Sequence, residues 1–161
     1  MLYLEELADE MDMQFDGTDT FVHRTTGEFL YLDTEYYSLA EEVDMKETTL
    51  ENRYDWEKEA VAKIIDYWEH SEDYASLPES YEINEYSIME DFIDQLSHTA
   101  TQDRLEWAIR GKGAFRRFKD TIEDLGISQQ WYDFKAQALL KIAKEWCENQ
   151  GITYQLKGPN Q

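Results

Sequence analysis

One cysteine, two prolines, seven glycines and three histidines leave this chain with few of the residues that usually mark chemistry or punctuate a fold. The lone Cys147 excludes an internal disulfide framework and is too few for a thiolate zinc site. His23, His70 and His98 lie far apart and share no metal spacing such as H-E-x-x-H. Glu69 and His70 are adjacent rather than one helical turn apart, so a helix would splay them away from a common ion. Each histidine is therefore read as a surface or cap residue. No metal and no cofactor is expected. Nucleophile-elbow, Walker and dinucleotide fingerprints are absent as well, and Gly111-Lys112-Gly113 alone is not one.

Long apolar runs are also missing. No window approaches the roughly eighteen uncharged residues of a membrane-spanning helix. The opening MLYLEELADEMD carries acids where a secretory signal carries bases. The expectation is a reducing, cytoplasmic setting with no membrane partner. Bases are scarce too: 15 against 36 acids, a formal net charge of -21. Residues 1–103 hold 29 of the acids and only 5 bases, whereas residues 104–161 hold 7 acids and 10 bases. A chain of this balance repels polyanions, so bulk nucleic-acid binding is not expected. With 36 acids, almost any two form a pair, and carboxylate pairing carries no catalytic information. Asp16-Gly17-Thr18-Asp19 is a weak calcium-loop look-alike, without the ligands required at the fifth and twelfth positions.

What is present is aromatic and apolar. Apolar residues make up 42% of the chain and aromatic residues 14%, which separates it from acidic disordered chains. A length of 161 residues fits one domain that buries roughly two thirds of its unfolded surface. Few glycines and prolines predict long regular elements. Leu4, Leu7 and Met11 give residues 2–13 a helical period. Phe21-Val22 and Phe29–Leu32, joined through His23-Arg24-Thr25-Thr26-Gly27-Glu28, read as a β-hairpin, with Met13–Phe15 as a candidate third strand.

Helical patterns follow over 35–44 and over 55–72, the latter with Trp56, Ala60, Ile64 and Trp68 on one stripe, plus Val61 and Ile65. Leu77-Pro78 breaks the chain. Residues 82–97 form the next helix, and residues 102–110 another, capped by Thr99 or Thr101. Residues 114–125 carry Phe115, Phe118, Ile122 and Leu125 at helical spacing and end at Gly126. The last helix, about 128–149, buries Trp131, Phe134, Ala138, Ile142 and Trp146. A short strand is expected in 152–156, and 157–161 form a flexible tail. The expected fold is α+β: a single domain, 1–161, with a small N-terminal antiparallel hairpin packed on a helical bundle of five to six helices.

One stretch opposes its surroundings. Residues 110–120, RGKGAFRRFKD, hold Arg110, Lys112, Arg116, Arg117 and Lys119, a third of all the cations. Two glycines permit close backbone approach, and the helix that follows offers free N–H groups to an anion. Phe115 and Phe118 are assigned to packing. The five cations are the candidate anion- or partner-binding residues, and an acid-docking role within the chain is the competing reading, because Arg pairs well with carboxylates.

The residues His23–Leu32, Leu77-Pro78, Tyr86–Ile93, Gly111–Asp120, Trp131–Phe134, Trp146 and Gly151-Ile152 together resemble the bacterial family known as uncharacterised protein family 0158. The resemblance spans nearly the whole chain, is most specific at GKGAFRRFKD and is thinnest over residues 34–54. It implies an intact bacterial cytoplasmic domain and supplies no activity, substrate or catalytic residue. Three functions stand side by side. The first is a binding or regulatory module that meets an anion, a nucleotide or a partner through Gly111–Lys119. The second is an acidic interaction protein, in the extreme a nucleic-acid mimic, that acts through residues 1–103. The third is an enzyme, which no recognised constellation supports.

Overall fold

A computed structural model describes residues 1–78 and 83–157. The fold is α+β and mostly helical, and it groups into two compact units, Met1–Pro78 with Glu145–Gln161 and Glu79–Lys144.

In the first unit, strand β1 (Leu2–Tyr3) leads directly into helix α1 (Leu4–Asp12) and pairs in parallel with the last strand, β5 (Tyr154–Gln155). The hairpin forms where expected, from β2 (Thr18–His23) and β3 (Phe29–Asp33), with Val22 opposite Phe29. Its turn is built from its own sequence. Gly27 adopts φ +75 and donates its N–H to the His23 carbonyl at 2.9 Å. The His23 ring accepts the Thr25 and Thr26 amides on Nδ1, each at 3.2 Å.

The third strand is not Met13–Phe15. It is β4 (Tyr74–Ser76), antiparallel to the other edge of β2, giving the order β3-β2-β4. Phe15 is 71% exposed and has no apolar surface to join, while Ala75, opposite Val22, is buried. As the central strand, β2 buries the neighbours Phe21 and Val22, whose side chains point to opposite faces.

Phe21 and Leu32 belong to a cluster with Tyr36, Ala40, Val61 and Ile64, contributed by α2 (Tyr37–Asp44) and its preceding 3-10 turn and by α3 (Asp55–Glu69). The inward face of α3 runs through Glu57, Val61 and Ile64, so Trp56 falls off it, at 59% exposure, while Trp68 stays on that face but at the helix end, at 39% exposure. Glu57 tolerates burial because its carboxylate accepts the Tyr54 amide and the Arg53 guanidinium, both at 3.2 Å.

The second unit comprises α4 (Glu85–Asp94), α5 (Thr99–Ala108), α6 (Ala114–Asp124) and the first part of α7 (Ser128–Gln150). Its core is aromatic. The Phe92 ring meets Phe118, Trp131 and Phe134 edge-on at 6.2, 5.5 and 5.4 Å, and Phe118 meets Trp131 at 4.8 Å. Ile88, Met89, Ile93, Leu105 and Ile122 fill in around them. The cap of α5 is His98, not a threonine: its Nδ1 accepts the Thr101 amide at 3.3 Å.

Helix α6 ends as its sequence predicts. Gly126, at φ +70, donates to Glu123, and Ile127 reaches back to the Ile122 carbonyl at 3.0 Å, the paired bonds of a Schellman turn. Along α7 the fully buried line is Trp131, Leu139, Ala143 and Cys147, while Phe134, Ala138, Ile142 and Trp146 are half-buried beside it. Residue 82 of the expected 82–97 helix and residues 158–161 of the expected tail lie outside the described residues. Lys157, placed in that tail by sequence, is held: its amide donates to Glu5 at 3.1 Å and its Nζ pairs with Glu6 at 3.0 Å.

Gly27 and Gly17 share positive φ but not surroundings. A Cβ on Gly27 would stand 2.5 Å from the Leu2 backbone nitrogen, whereas a Cβ on Gly17 meets nothing within 4 Å. Gly17→Ala therefore costs about 1 kcal/mol, the strain of a left-handed alanine. Gly27→Ala costs about 3 kcal/mol, because β1 must also leave its place. Urea denaturation of the two variants is expected to give that order, and equal costs would contradict the close approach.

Candidate functional site

The basic stretch sits at the corner between α5 and α6, and the corner poses an elementary problem. Where a helix ends, its last carbonyls lose their intrahelical donors. Here Gly111 and Gly113 then turn the chain sharply, at φ +70 and +82, so further carbonyls point away from any ladder. Arg117, in the second turn of α6, reaches back and supplies the missing donors. Its Nε–H donates to the Ala108 carbonyl at 2.8 Å and its Nη1 to Lys112 at 2.6 Å, while Nη2 donates to the Arg110 carbonyl. The Ile109 carbonyl is taken by the Tyr86 hydroxyl at 2.9 Å. A planar, permanently charged fork suits this arrangement, which lies at the negative end of α5.

Arg117 is thus a structural tie. It pairs with no carboxylate, and neither do Arg110, Lys112, Arg116 or Lys119 among the described residues: the ion pairs found there join other residues. The acid-docking reading of this stretch has no contact to rest on among the described residues. Arg110, Lys112, Arg116 and Lys119 are exposed.

The five cations do not share one surface. At 100° per residue, the buried stripe Ala114, Phe118 and Ile122 puts Arg117 on one flank of α6, Arg116 on the outer face and Lys119 on the other flank. Phe115 lies on the Lys119 flank in the first turn and is 47% exposed, so it is not the core residue its spacing promised. Only Arg110, Lys112 and Arg117 come together. With Trp107 they line an open depression of about 320 Å³. Gly113 is the N-cap of α6 and brings no side chain to its amides.

Trp107 is the residue that sequence reasoning missed. It is 65% exposed, and its ring meets no aromatic partner among the described residues. No cation covers it either, the one such contact there being Lys157 over Tyr3. A signal was available: with Leu105, Ala108 and Ile109 facing inward, a tryptophan at 107 falls off the apolar stripe, next to the basic run. Glu90, Asp94 and Glu106 line a second depression of about 270 Å³ with Tyr86, Ile93 and Ile109. Residues 106–110 thus contribute to two depressions of opposite charge, Glu106 and Ile109 to the acidic one and Trp107 and Arg110 to the basic one.

Other candidates offer less. Asp66, Glu69 and His70 bring ligand atoms within 4.8 Å of one another, all exposed. The expected divergence of Glu69 and His70 fails because His70, with φ -125, has left the helix. Its Nδ1 is held by the Asp66 carbonyl at 2.9 Å, which is also the main cause of its raised pKa. Cys147 is fully buried, and burial pushes its thiol up to about 11, the wrong direction for a nucleophile. Tyr36 is buried. Tyr54 and Trp56 are exposed, with their rings nearly parallel at 6.2 Å.

The chain is thus a mostly helical α+β protein with a cationic, tryptophan-bearing depression. A family model described as Uncharacterised protein family (UPF0158) matches residues 1–158, and the chain belongs to that family. No curated protein and no solved structure matches it.

The structural role of Arg117 separates it from its neighbour. Arg117→Ala leaves three carbonyls without donors and is expected to cost about 2 kcal/mol. Arg117→Lys recovers only part of that loss, because a point charge cannot span the fork. Arg116→Ala should stay within about 0.5 kcal/mol of the parent. Chemical denaturation decides this, and comparable effects at 116 and 117 would contradict the assignment.

Proposed function

We propose that this protein is a binding module and that the depression lined by Trp107, Arg110 and Lys112 receives an anion, with Arg117 as its fixed wall. The observation that carries the reading is an imbalance. In a chain where acids outnumber bases by 36 to 15, two cations stand exposed around an open depression and, among the described residues, without a carboxylate partner. An incoming anion would supply the missing partner. The volume lies at the low end of the roughly 300–1,000 Å³ typical of small-molecule sites. No carboxylate lines the depression, so an acid–base pair that would favour an enzyme is absent from its walls among the described residues.

Arg116 and Lys119 point elsewhere on α6 and serve, in this reading, only as a local positive field. Such a field steers anions over about a Debye length, roughly 8 Å at physiological salt. A cytoplasmic, bacterial setting belongs to the proposal too. It is supported by the single buried, unpaired cysteine and by the family resemblance, and no described helix is long and apolar enough to cross a membrane.

A second reading draws on the first unit. Tyr54 and Trp56 stand exposed and near-parallel among the acids of residues 1–103, the residue types that anchor protein interfaces. A basic protein partner would fit that surface, and its binding would weaken steeply with salt.

The first reading is tested with Arg110→Glu/Lys112→Glu, keeping Arg117. Pyrophosphate titrated by calorimetry at low salt is expected to bind the parent, to lose at least tenfold in affinity to the variant, and to weaken as salt rises. The melting temperature should stay within about 2 °C of the parent's, because neither side chain has an internal partner to lose. Unchanged pyrophosphate affinity in a folded variant would remove the depression as the site.

A further inference from the structure

We infer that the ligand of this depression carries an aromatic ring as well as a phosphate: a nucleoside phosphate of mononucleotide size. The inference rests on the anion-binding reading and deepens it. It comes from Trp107, for which a bare anion has no use.

An indole that is 65% exposed keeps most of its apolar surface in water. Exposed Phe15, Tyr132 and Phe115 also lack a ring partner among the described residues, but none of them lines a cationic depression. Trp131 sits in the Phe92–Phe118 cluster, and exposed Trp56 is still flanked by Tyr36 and Tyr54. Trp107 has neither an aromatic neighbour nor a cation over its face among the described residues, although Arg110 is three residues on, at a spacing where a guanidinium could fold onto the ring. Both the π-face and the cations are therefore left available at one place. Stacking on an aromatic side chain combined with a cation for the phosphate is the chemistry by which proteins hold single nucleotides without reading sequence.

Two further features narrow the class. The wall is pre-organised, because three carbonyls hold the Arg117 guanidinium in position, so little ordering is needed when a ligand enters. And the neighbourhood is hostile to a long polyanion. Glu106, next to Trp107 in sequence, lines a separate depression with Glu90 and Asp94, and Asp120, Glu123 and Asp124 follow on α6. A strand leaving the depression would run its phosphates past carboxylates; one nucleotide would not.

The test uses the full chain and a ladder of probes: inorganic phosphate, ribose 5-phosphate, AMP and an eight-residue oligothymidylate beside dTMP. Binding is read by calorimetry and by the Trp107 indole N–H signal, identified as the one absent in Trp107→Phe. AMP is expected to bind about tenfold or more tightly than ribose 5-phosphate, the range that base stacking supplies. Trp107→Ala should bring AMP down to the ribose 5-phosphate level, while Trp107→Phe keeps most of the difference. Arg110→Glu/Lys112→Glu should weaken both ligands together.

If AMP and ribose 5-phosphate bind equally and Trp107→Ala changes neither, the ring inference fails while the anion site stands. If none of the small phosphates binds, both fail. An oligothymidylate that binds tighter per molecule than dTMP by more than its number of residues would overturn the mononucleotide assignment in favour of a strand. Because Trp107 is mostly exposed, both variants should fold, and a thermal scan of each checks this.

Discussion

One guanidinium holds the corner on which the candidate site depends. Arg117 reaches across the α5–α6 turn and takes three carbonyls that the turn would otherwise leave without donors. The cost of that turn is set by geometry: two glycines in left-handed conformation reverse the chain within a few residues, too tightly for the backbone to satisfy itself. Phe118, the next residue along, drops into the aromatic core against Phe92 and Trp131. Adjacent positions on α6 thus do opposite jobs, one fixing the helix to its core and the other fixing the loop to the helix. With the corner rigid, Trp107 and Arg110 at the end of α5 and Lys112 in the turn are held at the same depression.

Much of this was legible in the sequence, and the boundary of legibility is physical. Elements set by local rules came through: the hairpin around Gly27, the Gly126 stop, the long final helix. What failed depended on distant partners. The third strand is Tyr74–Ser76 and not Met13–Phe15, because a ladder partner is chosen by what covers the free edge of β2, some fifty residues away. Trp56 and Phe115 have the period of core residues but sit about 100° and about 60° from the centres of their buried stripes, and only the packing partner fixes where a stripe is centred.

The basic run shows the same limit more sharply. Arg116 and Arg117 are identical in sequence terms, since both lie off the apolar stripe and both follow the glycines. One is exposed without a partner and the other is bound to three carbonyls. No local pattern distinguishes them, because the carbonyls that claim Arg117 become orphans only once the corner has folded. Trp107 was overlooked for a different reason. An aromatic off its stripe is invisible to a count of cations. The histidines, by contrast, were read correctly in kind: His23 and His98 accept backbone amides at a turn and a helix start, and His70 closes a helix end.

The acidity of the whole chain bears on the site as a filter. A net charge of -21 lowers the encounter rate of every anion, large or small, at long range. Screening confines that repulsion to roughly 8–10 Å, so a ligand small enough to lie inside the depression is governed by Arg110, Lys112 and Arg117 once it arrives. A polymer cannot escape the rest of the surface in the same way: each further phosphate must sit near Glu106, Asp120 or another carboxylate. Repulsion therefore grows with ligand length while attraction stays fixed at three cations. On the proposed reading, the bulk charge would select against nucleic acid while the corner would receive a single phosphate.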